Sequence, residues 1–196
     1  MSIIIKTLLG EDLRPYIPAL AQLRLSIFRD YPYLYEGTLE YEEAYLRTYS
    51  QSQSSIFILA LDENQVVGVS TAIPMLEADA AFQKPFLAEA YDIKQILYFG
   101  ESVLQPSYRG QGIGHEFFNA REKYAQGMGS HYTCFCAVER PTTHPLKPDN
   151  YQPLDMFWHK RGYSKQSQLK TEYEWQDISE TSASYKTMVF WLKAWK

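Results

Sequence analysis

Cysteine, an excess of basic charge and long apolar runs are all scarce in this sequence of 196 residues. The two cysteines, Cys134 and Cys136, are separated by a single residue. A disulfide between such close neighbours on a strand would be badly strained, so reduced thiols and a cytoplasmic setting are expected. His131 stands nearby, but no fourth ligand follows at a zinc-like spacing, and no metal site is expected. Lys and Arg number 19 against 23 Asp and Glu, giving a net charge of -4. That balance argues against a nucleic-acid partner, which needs a basic face, without forbidding a basic small molecule. The apolar stretches fall far below the roughly 18 residues of a membrane span. The opening Met1-Ser2-Ile3-Ile4-Ile5-Lys6 is too short for a signal peptide and lacks its basic flank. No membrane partner is expected.

What is present is ordinary globular composition, 45% hydrophobic and 21% charged, with one oddity: 15% aromatics, including 16 Tyr. Such rings either fill a core or line a pocket for an apolar or cationic ligand. The length suits one domain spanning 1–196.

Residues 2–9 are Ile-rich and read as a first strand. From Pro15 to about Arg29, Ile17, Leu20, Ala21, the stem of Arg24, and Phe28 fall at helical spacing, with Pro18 delaying the regular helix. Pro and Gly make 30–37 a loop. Thr38 then caps a helix with Tyr41, Tyr45, Leu46 and Tyr49 on one side. Residues 56–61 and 66–73 read as a hairpin. Residues 76–94 are helical in propensity, interrupted by Pro85, and 96–104 is a strand. An amphipathic helix over 112–125 ends near Gly127 and Gly129, and a strand covers 132–138. Residues 139–152 are irregular, because Pro141, Pro145 and Pro148 forbid regular structure. A short helix at 153–160 stops at Gly162. Strands follow near 172–176 and 186–193, the latter apolar enough for the sheet interior or a dimer edge, with the interior preferred. The fold class is a mixed α/β sheet with strand–helix–strand at its centre.

The segment that carries chemistry runs from Glu101 through Val103, Leu104, Gln105 and Pro106 to Arg109-Gly110-Gln111-Gly112-Ile113-Gly114. A strand enters a Pro turn, a Gly-rich loop, then a helix. The glycines let the chain turn tightly and bring bare N–H groups to an anion. The first helical turn adds unpaired N–H groups and the positive end of the dipole. Arg109 adds a fork of charge-assisted donors. A pyrophosphate cradle is the reading these parts support, against a merely structural turn. No Lys follows the last Gly, which excludes a Walker loop, and the Gly-x-Gly-x-Gly spacing departs from a dinucleotide fingerprint.

This stretch resembles the Arg/Gln-x-x-Gly-x-Gly/Ala motif of the GNAT N-acetyltransferase superfamily, and Val103-Leu104-Gln105-Pro106 resembles the strand that precedes it. The order of elements is similar over nearly the whole chain. The resemblance implies a mixed, mostly antiparallel sheet flanked by helices, with a splayed strand pair at the cofactor site. It implies acetyl-CoA (coenzyme A) as cofactor and direct acetyl transfer to an amine. Residues 109–114 would hold the pyrophosphate, and main-chain groups of Val103, Leu104 and Gln105 would follow the pantetheine arm.

An ammonium must lose a proton before it attacks a thioester, and the departing thiolate takes one up. Glu101 is the candidate base. A carboxylate beside the apolar run 96–100 is costly without a role or a partner, and many members of the resembled family carry Glu at this place. The other reading is a structural hydrogen-bond acceptor. The family often has Tyr four residues before the Gly of a Gly-Phe pair; here Gly162-Tyr163 matches the pair and Trp158 holds that position. An indole N–H has no useful acidity, so Tyr151 and His159 stand as candidate acids, beside departure of the thiolate to solvent.

In the resembled fold the connection after the first helix borders the acceptor cleft. Tyr31, Tyr33 and Glu36 are therefore candidates for the acceptor site, where Tyr faces and a carboxylate suit a cation. The Pro-rich loop with Arg140 and Lys147 suits an acidic acceptor instead. The expected partner is a small-molecule amine, less readily a protein amine, bound by a monomer or homodimer. A non-catalytic acyl-CoA sensor is the alternative, encouraged by Trp158; an interaction protein is a third.

Overall fold

The computed structural model describes residues 3–195; the expected strand residue Ser2 lies outside them. Eight strands form one sheet. They are β1 (Ile3–Leu9), β2 (Ile56–Asp62), β3 (Gln65–Pro74), β4 (Ile96–Tyr98), β5 (Ser102–Leu104), β6 (Tyr132–Val138), β7 (Ser164–Trp175) and β8 (Ser184–Ala194). The order is β1-β2-β3-β4-β6-β8-β7, with β5 also on β3. All pairs are antiparallel except β4 with β6. The mixed, mostly antiparallel sheet is thus present. β8 lies between β6 and β7, which places Met188–Leu192 in the interior, as preferred, and not on an edge.

Residue alternation on the strands divides the core in two. Phe57, Leu59 and Leu61 face one side, beneath α1 (Ile17–Phe28), α2 (Leu39–Gln51) and α3 (Ala80–Ala88). Ile56, Ile58 and Ala60 face the other, beneath α4 (Ile113–Gly127) and α5 (Asp155–Lys160). A 3₁₀ turn over Gly10–Tyr16 precedes α1, and Pro18 stands in its first turn, where the missing N–H costs nothing. Thr38 caps α2, its Oγ1 accepting from the Tyr41 N–H at 3.3 Å.

Three expectations are corrected. Pro85 does not interrupt α3, which continues through it. Proline frees the carbonyl four residues back, and the Ala81 oxygen instead accepts from Thr171 Oγ1 at 2.7 Å. On α2, Tyr41 is 53% exposed while Glu42 is buried with Leu46 and Tyr49. The inward face therefore starts on a carboxylate. Third, the single strand expected over 96–104 is two, broken at Phe99-Gly100-Glu101.

That break positions the site. β3 pairs with β5 through Gly68, Val69 and Ser70, and with β4 only at Ile73 and Pro74. β4 continues onto β6, the Phe99 N–H donating to the Cys134 carbonyl at 2.8 Å. β5 follows β3 away from β6, so the sheet splays open after Phe99. A Cβ at Gly100 would meet Thr71 Oγ1 at 2.7 Å and Tyr49 Oη at 3.1 Å, too close for any side chain. Arg121 of α4 closes the break from beneath. Its Nη1 donates to the carbonyls of Thr71 and Glu101, both at 3.4 Å. Burial pushes this guanidinium down to about 9, and the rings of Phe99 and Phe118 flank it.

Candidate active site

Two arrangements are built on the segment that leaves the splay. The first is the Gly-rich loop. Gln105 donates its N–H to the Val67 carbonyl at 2.9 Å, and Thr71 donates to the Glu101 carbonyl at 3.0 Å. Antiparallel alternation then turns the main chain of 101, 103 and 105 toward β3, and that of Leu104 toward the gap. Of the three residues expected along a pantetheine arm, Leu104 alone presents both main-chain groups on the open side. Its carbonyl accepts from Arg109 Nε at 3.3 Å.

After a 3₁₀ turn at Pro106–Tyr108, Gly110 and Gly112 adopt φ of 76° and 86°. That left-handed region favours glycine, and a Cβ on either would meet nothing within 4 Å. Backbone geometry, not crowding by the protein, requires glycine here. The N–H groups of Tyr108 and Arg109 are engaged by Gln105 and Pro106, and those of His115 and Glu116 by Gly112. Those of 110–114 between them find no such main-chain acceptor. Arg109 is exposed, leaving its outer nitrogens on the same surface. Free N–H groups at a helix start beside a guanidinium fit a pyrophosphate.

The second arrangement is buried and made of side chains. Arg24 on the inner face of α1 sits between two carboxylates. Its Nε donates to Glu42 Oε2, and its Nη1 pairs with Glu101 Oε2 at 2.8 Å. The side chains are 9%, 1% and 3% exposed for Arg24, Glu42 and Glu101, so all three lie in low dielectric. Tyr45 and Phe28 cover the guanidinium at 4.5 and 5.0 Å. Burial works against its charge, but Glu101, Tyr45 and Glu42 outweigh that and hold it above its ordinary value. The remaining oxygens, Glu42 Oε1 and Glu101 Oε1, are buried without a hydrogen-bond partner. Each orphan of this kind costs about 1–3 kcal/mol, more when charged. Tyrosines enclose the group: burial, reinforced by the charge on Glu101, pushes the hydroxyls of Tyr33, Tyr45 and Tyr49 well above their usual range. They are neutral hydroxyls.

The other predicted residues divide. Tyr33 packs on Phe28 with ring centroids 4.9 Å apart, next to the cluster. Tyr31 meets Tyr151 edge-on at 4.7 Å and His144 at 5.7 Å, which brings the Pro-rich loop onto the 30–37 loop. Tyr151 thus stands on the Tyr33 side of the sheet, and burial raises its hydroxyl. Glu36 points outward and pairs with Arg29 at 2.7 Å. His159 is exposed on α5 and meets Trp191 at 4.9 Å, in the layer opposite Arg24, so the fold does not bring it to Glu101. Trp158 is partly buried and packs against Phe135 and Trp191, both at 5.0 Å. Arg140 is withdrawn from any acidic acceptor. It grips Asp177 with two nitrogens at 2.7 and 2.9 Å and donates to the carbonyls of Pro32 and Tyr33. Cys136 lies 3.2 Å from the Tyr98 hydroxyl, and burial pushes its thiol up to about 12.

The sequence reading missed Glu42 and the role of Arg24. The signal was available: a guanidinium on the apolar stripe of α1, and a carboxylate in register with Tyr45, Leu46 and Tyr49 on α2.

A splayed sheet with a helix-start anion cradle beside it matches what known proteins show. The profile of the acetyltransferase (GNAT) family matches residues 19–146. The chain belongs to the GNAT family. No curated protein matches it in sequence. Among solved structures, the GNAT chain is similar to ribosomal-protein-alanine N-acetyltransferase from Brucella melitensis, with TM-score 0.63 and 13% identity over 98% of this chain and 99% of that one. It is also similar to PaiA N-acetyltransferase from Thermoplasma acidophilum in complex with coenzyme A, with TM-score 0.56 and 17% identity over the whole of both chains. An N-acetyltransferase from Staphylococcus aureus gives TM-score 0.61 and 13% identity, again over both whole chains. At these identities the likeness is one of fold. Among the described residues no helix is long and apolar enough to cross a membrane.

Proposed function

We propose that this GNAT protein is an acetyl-CoA-dependent N-acetyltransferase that moves an acetyl group directly to the amine of a small molecule. The carrying observation is that one segment, 101–114, bears both the free, buried Oε1 of Glu101 and the open N–H cradle at 110–114. Bound acetyl-CoA supplies the thioester, whose carbonyl carbon bonds to the amine nitrogen as the C–S bond breaks and the thiolate leaves. The chain does the rest. Residues 109–114 hold the pyrophosphate through main-chain N–H groups and Arg109, and Leu104 offers its N–H and carbonyl to the pantetheine in the gap.

Glu101 takes one proton from the acceptor ammonium at Oε1, directly or through a water, while Arg24 fixes Oε2. The second amine proton leaves as the amide forms and balances the thiolate. Tyr151 is the candidate to deliver that proton, as a hydroxyl held neutral by burial. The sensor alternative draws on Trp158, which stands where the resembled family often has Tyr.

Calorimetry with acetyl-CoA, followed by a thiol-release screen across amines, tests the reading. Binding followed by amine-dependent thiol release is expected. Binding without release on any amine would favour the sensor, and no binding would remove the cofactor assignment.

A further inference from the structure

Arg140 pairs with Asp177, which Lys186 also approaches, and Arg29 pairs with Glu36. Two carboxylates share one guanidinium, for a formal charge of -1 within a nearly sealed volume. Neighbouring nitrogens of one planar group hold Glu42 and Glu101 side by side. Each keeps one oxygen without a hydrogen bond, although the Tyr35 hydroxyl lies near enough to Glu42 to be raised by it. Buried polar atoms of native proteins are satisfied, and exceptions point to something that binds there.

We propose that Glu42 and Glu101 together form the acceptor's cation subsite, and that the acceptor is a small primary amine, bound as its ammonium, with no carboxylate beside the nitrogen. This rests on the acetyltransferase reading and names its substrate class. One ammonium brings the charge to zero and supplies up to three N–H donors to two waiting oxygens. Moving a proton from it to Glu101 keeps the total at zero, so the step needs no new buried charge. An amino acid would bring a second carboxylate toward two existing ones, and like charges in low dielectric repel strongly. The partly buried rings of Tyr33, Tyr35 and Tyr45 lie beside the cluster, and they favour an aliphatic or aromatic amine over a heavily hydrated one. Arg24 is then a positioning residue that keeps the two carboxylates adjacent in the absence of amine.

The test is direct binding in the presence of coenzyme A, which does not depend on turnover. Calorimetry compares butylamine, phenethylamine and 1,4-diaminobutane with 2-phenylethanol and with phenylalanine, all on the unaltered protein. At least one amine should bind about tenfold or more tighter than the alcohol and than phenylalanine. Glu42→Gln should weaken that amine about tenfold while coenzyme A affinity stays within about twofold, and Glu42→Asp should recover part of the loss. Equal binding of phenethylamine and phenylalanine, no binding by any amine, or full amine affinity in a folded Glu42→Gln protein would overturn the subsite. Amine binding without thiol release would support the subsite and count against transfer. Thiol release unaffected by Glu42→Gln would do the reverse.

Discussion

The Gly-rich loop and the Arg24 cluster both draw on the segment 101–114 and are built on opposite plans. The loop is open, contiguous in sequence and made of main chain; its glycines have empty space where a Cβ would go. The cluster is closed, made of side chains, and gathered from residues 24, 42 and 101 on three separate elements. An open cradle of N–H groups suits a ligand that keeps most of its contact with water, such as a pyrophosphate. A sealed pair of carboxylates suits proton transfer shielded from bulk water. Changes in the loop should therefore alter affinity for the cofactor, and changes in the cluster should alter turnover or folding.

The largest break in that comparison is expected from Glu101→Gln. It removes the proton-accepting Oε1 and leaves the loop untouched, so kcat should fall about 100-fold or more while acetyl-CoA affinity changes little. Steady-state kinetics paired with calorimetry measure both. Next is Arg24→Met, which leaves two buried carboxylates without their counter-ion. Loss of one partner from such a group costs about 3–5 kcal/mol, read as a lowered urea midpoint. Gly112→Ala forces a side chain into the left-handed region at a cost of about 1–2 kcal/mol, and it should weaken acetyl-CoA binding while sparing kcat at saturation. Were it instead to lower kcat and leave Kd unchanged, the division between the two regions would fail.

The smallest effect concerns the clamp behind the acceptor loop. Lys186 first, then the Asp177 N–H, hold the Glu180 carboxyl down to about 2, from 4.5. A carboxylate depressed in the folded state stabilises it above the unfolded value and loses that contribution as pH falls from 4.5 through about 2. Its side chain is 34% exposed, so screening limits the gain to about a few tenths of a kcal/mol. Glu180→Gln should lower the urea midpoint slightly at about pH 6 and converge with the parent at about pH 2.

The same contrast explains how much could be read before folding. The loop was legible because glycine, proline and arginine act over adjacent residues, and their geometry follows from local sterics. Helix α4 and strand β6 were legible from periodicity. The sheet break at Phe99–Glu101 was not, because an apolar run does not reveal that β3 changes partners along its length. The acid cluster was half legible: Glu101 is costly in its strand, but Glu42 looked like one more charge on a polar helix until α1 and α2 met. Trp158 was legible only as a residue type at the position four before Gly162; that its ring meets Phe135 and Trp191 came from the fold.

The central claim is direct transfer of an acetyl group from a cofactor held by the loop to an amine deprotonated by the cluster. Mass spectrometry of the reaction with isotopically labelled acetyl-CoA and a responsive amine measures it most directly. The account predicts labelled N-acetylamine in one-to-one proportion with released thiol. Thiol released with no acetylated amine, as in hydrolysis, would contradict it.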